Sequence, residues 1–243
     1  MTETLLAAVD FETSGLDIRV DKPVQIGLVL RLYTGYEYTD FEAINMLCNP
    51  GKPIDPGASA VHGISDDLVA DQVSAHAAVD YLSKLVSYYS SGRQSYTVGF
   101  NSSNYDLPMA NNVLQRQAFN LPHIDVLRFA RRYFPDVKGH LGGKTLGELH
   151  QVFLGRPLEK AHSAVADIVG TLDLLQALQA KAGATLEQMA EDQAVARPYV
   201  FMPLGRYIGL PIEDVPRSWA AFMSTRQDLD PDLRATVNAI LAR

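Results

Sequence analysis

Asp10 and Glu12 stand two residues apart, directly after the apolar run of residues 5–9. The run predicts a buried strand, and the strand period of two places both carboxylates on one face. Two close acids repel each other, and each resists ionisation unless a cation lies between them. Gly15 allows a tight turn beside them. A strand end that is merely solvated has the same pattern. Further ligand residues are therefore needed to indicate that this pair binds a cation.

Two more carboxylates and a histidine occur where helices are predicted to begin. Asp106 follows the apolar residues 96–100, although the helix dipole alone also favours an acid at that place. Asp167 lies beside the apolar stripe of a helix predicted over residues 163–181. His162 precedes Asp167 by five residues and could equally be a capping histidine. Taken together, four carboxylates and one imidazole suit Mg²⁺ or Mn²⁺ better than zinc.

Such a set of ligands indicates phosphodiester hydrolysis. Two divalent ions ~3.5–4 Å apart can activate a water molecule and stabilise the leaving oxygen. A histidine is suited to accept the proton of that water, because its pKa lies near neutrality. Other catalytic signatures are absent from the sequence: it has no Walker loop, no His-Glu-x-x-His and no Gly-x-Ser-x-Gly. The aspartyl-phosphatase pattern also fails, since it requires a second Asp where Glu12 stands.

The elements that must position these residues have an α/β order. Residues 24–33 and 38–47 predict two more strands in an antiparallel meander, followed by a breaker-rich loop at residues 49–57. After a helix over residues 73–89, strand and helix alternate. The further predictions are a strand at 96–100, helices over 106–117, 124–133 and 163–181, and a helix capped by Thr145. This order predicts a mixed β-sheet flanked by helices, an α/β fold.

Three segments in order resemble the motifs of a known enzyme family. Residues 10–16 (DFETSGL), residues 98–106 (VGFN followed by YD) and residues 162–167 (HSAVAD) resemble the three motifs of the DEDDh, or DnaQ-like, 3′→5′ exonucleases. The resemblance extends over residues 5–180. Two positions depart from the usual pattern: Ser14 stands where Thr is commoner, and Tyr105 stands where Phe is commoner.

The resemblance implies a fold, a cofactor and roles for individual residues. The fold would be RNase H-like, and the cofactor would be two divalent metal ions, Mg²⁺ or Mn²⁺. His162 would act as the general base. The implied metal ligands are Asp10, Glu12, Asp106 and Asp167, and the implied substrate contacts are Thr13, Ser14 and Leu16, with His62 and Asn101 near the site.

The end of the chain has a second, weaker resemblance. Residues 202–219 and 228–234 resemble the small C-terminal module of the exodeoxyribonuclease X type. The usual loop of that module is rich in lysine, whereas Ile208 and Leu210 stand here, so we expect a weaker grip on DNA. A packing or partner module without nucleic-acid contact stays open. The predicted domains are an exonuclease domain at 1–181, a connector at 182–198 and a small C-terminal module at 199–243.

Charge and composition limit the remaining alternatives. The 243 residues are 47% hydrophobic, which is enough for a large core without disulfides, and Cys48 is the single cysteine. The first residues lack a basic segment, so we expect no signal peptide and a cytoplasmic protein. The net charge is −7, but residues 116–160 hold 8 Lys/Arg against 4 Asp/Glu. This stretch is the predicted contact for backbone phosphates.

The sequence therefore predicts a metal-dependent 3′→5′ exonuclease that hydrolyses DNA 3′ ends in DNA repair or end processing. Its partner would be nucleic acid, with DNA favoured over RNA and no membrane. An RNA 3′-end exonuclease and a polymerase proofreading subunit are alternatives. A non-catalytic nucleic-acid-binding protein is disfavoured because all five catalytic positions are filled.

Overall fold

A computed structural model describes residues 3–134, 145–158, 164–226 and 229–243. His162 and Ser163 lie outside these residues. The strands are β1 (Thr4–Thr13), β2 (Pro23–Tyr33), β3 (Tyr38–Leu47), β4 (Gln94–Gly99) and β5 (His123–Asp125). The helices are α1 (Pro56–His62), α2 (Asp66–Val69), α3 (Ala75–Ser90), α4 (Asp106–Leu114), α5 (Val126–Tyr133), α6 (Leu146–Leu154), α7 (Ala164–Ala182), α8 (Leu186–Ala194), α9 (Arg217–Ser224) and α10 (Pro231–Leu241). Over the ranges described, no helix combines the length and apolarity needed to cross a membrane.

The five strands form one mixed sheet in the order β3-β2-β1-β4-β5. β1 and β2 are antiparallel, as are β2 and β3, whereas β1 and β4 are parallel. The parallel ladder runs along β1 from Thr4 to Ala8, so the end of β1 that carries Asp10 and Glu12 projects beyond it. The predicted α/β fold with a mixed sheet and flanking helices is confirmed.

One face of the sheet carries the main core. Leu5, Val9 and Phe11 alternate along β1 and pack with buried residues of α3 and α4, such as Leu82 and Met109. Since side chains of a strand alternate between faces, Asp10 and Glu12 point to the opposite face. The alternation thus separates the core of this sheet from its carboxylates.

Two loop and helix predictions need correction. Residues 123–125 form β5, and the helix predicted from residue 124 begins only at Val126. Asp125 is the N-cap of this helix, because its carboxylate accepts a hydrogen bond from the Arg128 N–H. The predicted loop at 55–57 contains the start of α1. Asp55 caps that helix and Pro56 occupies its first turn, where proline needs no hydrogen-bond donor. Thr145 caps α6 as predicted, in a capping box with Glu148.

The described residues divide into two compact units, residues 1–123 with 159–172 and residues 124–158 with 173–243. In the second unit, α9 and α10 enclose their own core, which includes Trp219, Val237 and Ile240. α9 has no counterpart among the predicted elements.

A buried ionic network in the second unit is centred on Asp232. Its carboxylate, which is 0% exposed, accepts hydrogen bonds from Arg128 at 2.7 and 2.9 Å and from Arg132 at 2.6 Å. The backbone N–H of Arg197 donates a further hydrogen bond at 3.0 Å. Burial would raise the pKa of Asp232, but the hydrogen bonds from the arginines outweigh it, and the pKa lies below its usual value.

The network changes the interpretation of the basic stretch at residues 116–160. Arg128, Arg131 and Arg132 pair with buried or half-buried aspartates of the second unit. Within their own units, Arg116 pairs with Asp80 and Arg156 with Asp173. The described arginines of this stretch therefore stabilise the fold, which does not support the predicted phosphate contact. The three lysines of the stretch, Lys138, Lys144 and Lys160, lie outside the described residues.

Replacing Asp232 with asparagine is expected to lower the free energy of unfolding by about 3 kcal/mol, because it leaves arginine charges buried without their partner. The pKa of Asp232 is lower in the folded chain, so its stabilisation is full at neutral pH and is lost as the pH falls below about 4. Urea unfolding at pH 7 and pH 3 measures both effects. The control is Asp173→Asn, which removes an exposed pair worth about 0–1 kcal/mol. Equal losses for the two variants would contradict the importance of the network.

Candidate active site

Three carboxylates meet on the face of the sheet opposite the main core. Asp10 and Glu12 come from the end of β1, and Asp167 comes from the first turn of α7. One oxygen of each lies within 4.8 Å of the others, and all three side chains are half-buried. A cation at their centre would reach all three residues.

Gly27 allows α7 to approach this strand end. It faces Asp10 across the β1–β2 ladder. A Cβ atom at position 27 would lie 2.7 Å from Ile168 Cδ1, 2.9 Å from Ala164 Cβ and 3.0 Å from the Ala164 backbone. These distances are too short for a packed side chain. Because glycine has no side chain, the first turn of α7, which carries Asp167, can lie close to the carboxylates of β1.

Asp106 reaches the same strand from the other side. Its side chain is 4% exposed, and its Oδ1 accepts a hydrogen bond from the Phe11 N–H at 2.9 Å. Phe11 lies beyond the parallel ladder with β4, so the carboxylate takes the place of a strand partner. Asp106 thus lies against the β1 backbone at the residue between Asp10 and Glu12. The three carboxylates whose oxygens lie within 4.8 Å of one another are those of Asp10, Glu12 and Asp167.

The electrostatics of the cluster favour a bound cation. Burial raises the pKa of Asp10 well above its usual value, and the charges of Asp106, Asp167 and Glu12 raise it further. Positive charge at this point would remove the repulsion and return Asp10 to its ionised form. The donors are carboxylate oxygens, which fit hard ions such as Mg²⁺ or Mn²⁺.

Three of the predicted substrate contacts, Thr13, Ser14 and Leu16, lie where β1 ends and the chain turns, at residues 13–16. Leu16 is 87% exposed at its tip. Thr13 is buried and its hydroxyl donates to the Gly15 carbonyl at 2.8 Å. Ser14 is 1% exposed, and its hydroxyl donates to Asp21 and accepts from the Lys22 N–H. In this turn, Leu16 offers the exposed side chain, and the side chains of Thr13 and Ser14 hold the backbone.

The other predicted residues lie in different settings. His62, at the end of α1, accepts from the Ile64 N–H at Nδ1, so its Nε2 carries the proton and donates to the Thr13 carbonyl at 3.2 Å. Asn101 is exposed just after β4, with a left-handed φ of 57°. His162, the predicted general base, lies outside the described residues. Its role stays a prediction.

The sequence interpretation gave no role in the site to Gly27, Asp21 or Tyr105, all of which shape it. A glycine inside a strand is a recognised sign of close backbone approach, so Gly27 carried a usable signal. Tyr105 also carried a usable signal, because it stands where Phe is commoner. Asp21 had no local signal, because its partners become neighbours only when the turn folds.

Gly27→Ala is expected to lower kcat/KM by about 10–100-fold, because a displacement of even 1 Å at a catalytic site has effects of this size. The added Cβ forces Ala164, and with it the turn that carries Asp167, away from β1. Gly147→Ala is the matched control, since its nearest neighbour beyond the helix would be Leu158 Cβ at 3.9 Å. Steady-state kinetics of the two variants provide the measurement. Full activity of Gly27→Ala would show that this packing does not set the geometry of the site.

Comparisons with known proteins agree with this geometry. The sequence profile of the RNase T exonuclease family matches residues 7–175. A DNA polymerase III subunit epsilon-like protein of Rhodobacter capsulatus is 31% identical over 180 residues, and a PolC-type DNA polymerase III of Streptococcus pneumoniae is 28% identical. The matches cover 71% and 72% of this chain, but only 24% and 11% of those relatives. The chain therefore corresponds to a minor part of each relative's length.

Solved structures show the same fold. Exonuclease X in complex with 5′ overhanging duplex DNA is 26% identical, with a TM-score of 0.56, and the match covers 76% of this chain and 98% of that one. Escherichia coli exonuclease I in complex with a dT13 oligonucleotide has a TM-score of 0.58 at 18% identity, covering 74% and 41% of the two chains. The fold and the family profile together confirm the resemblance drawn from the three motifs. The chain belongs to the RNase T exonuclease family, whose DnaQ-like 3′→5′ exonuclease domain it contains.

Proposed function

We propose that this protein is a metal-dependent exonuclease that removes nucleotides one at a time from the 3′ ends of DNA. The carboxylate cluster of Asp10, Glu12 and Asp167 carries the proposal, since half-buried acids at this spacing repel one another without a cation. Membership of the exonuclease family supports the reaction class.

Asp10, Glu12 and Asp167 would hold two divalent ions. Asp106, at the start of α4, would contribute from its place beside the Phe11 N–H of β1. Bound there, such ions supply a water molecule of lowered pKa and positive charge against the leaving oxygen. His162 would take the proton of the attacking water. The oxygen of that water would bond to phosphorus while the P–O3′ bond breaks. The released product is a 5′-mononucleotide, and the leaving O3′ takes a proton from solvent water, which gives the shortened strand a new 3′ hydroxyl.

The turn of residues 13–16 would receive the terminal nucleotide. Leu16 projects into solvent at its tip, where it is free to pack against a base or sugar. His62 is the last residue of α1 and Asn101 follows β4, and both are proposed to flank this nucleotide. An exposed leucine on a rigid turn offers contact area without polar selectivity, which suits a substrate of any base sequence.

DNA is the proposed substrate because exonuclease X and exonuclease I were both solved with DNA. The epsilon-like relative favours one alternative, a proofreading subunit that acts with a polymerase. An RNA 3′-end exonuclease is the other. A role in DNA repair or end processing and a location in the cytoplasm complete the proposal.

The domain organisation is proposed as an exonuclease domain at residues 1–181, a connector at 182–198 and a C-terminal module at 199–243. The family match, which ends at residue 175, supports the first boundary. Ile208 and Leu210 are exposed in the module, at the loop where lysines were expected. We therefore propose that the module adds little to DNA affinity.

Matched oligonucleotides test the substrate. DNA and RNA of one sequence, single-stranded and paired, are digested with Mg²⁺, and kcat/KM is compared. We expect DNA to be preferred by tenfold or more, about 1.4 kcal/mol. A preference for RNA would assign the chain to the alternative RNA 3′-end exonuclease.

A further inference from the structure

The turn of residues 13–16 is fixed by the side chain of Tyr105. The Tyr105 hydroxyl donates to the Gly15 carbonyl at 2.6 Å and lies 2.9 Å from Thr13 Oγ1. Thr13 Oγ1 itself donates to the same carbonyl. Tyr105 is half-buried, and its ring packs on the main core, so the hydroxyl is held at a fixed place.

The Asp21 carboxylate holds the same turn from its other side. It accepts hydrogen bonds from Ser14 Oγ at 3.1 Å and from the Asp17 N–H at 2.9 Å, and it pairs with Lys52. A Cβ on Gly15 would overlap this carboxylate, so the turn lies directly against it. Burial opposes ionisation, but the hydrogen bonds from Lys52, Asp17 and Ser14 lower the pKa of Asp21, which stays charged at neutral pH.

His62 completes the arrangement by donating to the Thr13 carbonyl. The turn is therefore bonded on several sides before any ligand arrives, while Leu16 at its tip is free. A binding segment that is already ordered loses little conformational entropy when the ligand binds. Weakening its bonds should therefore reduce affinity first.

We propose that Tyr105 is a positioning residue that holds the turn of residues 13–16 in the conformation that receives the 3′-terminal nucleotide. This role rests on the exonuclease function proposed above. Tyr105 acts through the Gly15 carbonyl and the Thr13 hydroxyl and not on the reacting phosphate. A phenylalanine at this position would keep the ring in the core and lose only the hydroxyl.

Tyr105→Phe is therefore the most selective test. We expect KM for a single-stranded DNA 3′ end to rise about 3- to 10-fold, the effect of one hydrogen bond. The value of kcat should stay within about twofold, because the loss weakens substrate and transition-state binding equally. Amide exchange at Asp17, whose N–H is bonded to Asp21, should become faster in the variant. Asp21→Asn should raise KM in the same way.

Tyr96→Phe is the matched control. Tyr96 is a buried tyrosine of β4 whose hydroxyl accepts from Gln94 Nε2 at 2.9 Å, away from the turn. It should change thermal stability as much as Tyr105→Phe does and leave KM unchanged. If the wild-type chain is active and Tyr105→Phe has the same KM, the positioning role alone is overturned. A kcat that falls as far as KM rises would overturn it too, and a wild-type chain inactive on every 3′ end would overturn both this role and the proposed function.

Discussion

Asp10→Asn is expected to remove Mg²⁺-dependent degradation of DNA, with a loss in kcat of at least about 10⁴-fold, and to raise the melting temperature of the metal-free protein. The amide is a neutral and weaker metal ligand, and charge stabilisation by a bound ion contributes several kcal/mol to the barrier. The same change removes the charge that Asp106, Asp167 and Glu12 repel. Stability and activity should therefore move in opposite directions.

The sign of the pH dependence follows from the raised pKa of Asp10. Its pKa is higher in the folded chain than in the unfolded chain, so the metal-free protein loses stability as the pH rises from about 4 through the folded value. Asp10→Asn abolishes that loss. The variant should melt higher than wild type at pH 7 by about 2–4 °C for each kcal/mol gained, and the difference should shrink towards pH 4.

A bound metal ion should reverse the order of the melting temperatures of wild type and Asp10→Asn. Mn²⁺ is expected to raise the melting temperature of the wild-type protein, since a ligand that binds the folded state stabilises it, and to leave Asp10→Asn almost unchanged. Asp80→Asn is the control, because Asp80 is an acid on α3 that pairs with Lys84 and Arg116. It should keep both activity and the Mn²⁺ response. Equal Mn²⁺ shifts in wild type and Asp10→Asn would mean that the ion binds elsewhere.

His162→Ala is expected to lower kcat by about 10²–10⁴-fold, the usual contribution of a general base. The neutral imidazole is the active form, so wild-type kcat should fall towards acidic pH. The variant should lose that limb of the profile. The melting temperature and the Mn²⁺ shift should stay close to those of wild type, because the proposed metal ligands remain.

His76→Ala is the matched control, since His76 is an exposed histidine at the start of α3. Its kcat and pH profile should equal those of wild type. A His162→Ala variant with an unchanged acidic limb would contradict the proposed role, whatever its absolute rate. Partial recovery of kcat by added imidazole would support it.

Much of the fold followed from the sequence because periodicity and breakers act locally. β2 and β3 lie within one residue of their predicted ends, since the two runs of residues and the Thr34-Gly35 break between them define these strands without reference to the rest of the chain. The short strand β5 was missed because residues 123–125 are too few to show a period. The whole of α1 was missed, because Asp55 and Pro56 serve equally as loop breakers and as an N-cap with a first-turn proline.

The site was predictable only in part, for a related physical reason. Asp10 and Glu12 could be placed on one face from the strand period alone. The contact between Asp106 and the Phe11 N–H joins residues 95 positions apart, so no local pattern reveals it. The arginines of the basic stretch were predicted to face DNA phosphates, yet Arg128 and Arg132 bind Asp232, about 100 residues further along the chain. Composition gives the charge of a segment but not its partner.

A time course with a 5′-labelled single-stranded DNA oligonucleotide tests the central claim most directly. The wild-type chain and Asp10→Asn are each incubated with Mg²⁺ and with EDTA, and the labelled products are separated by length. We predict a ladder of labelled strands that shorten stepwise from the 3′ end, formed only by the wild-type chain and only with Mg²⁺. Release of the label as a mononucleotide at the earliest times, or an equal ladder from Asp10→Asn, would contradict the account.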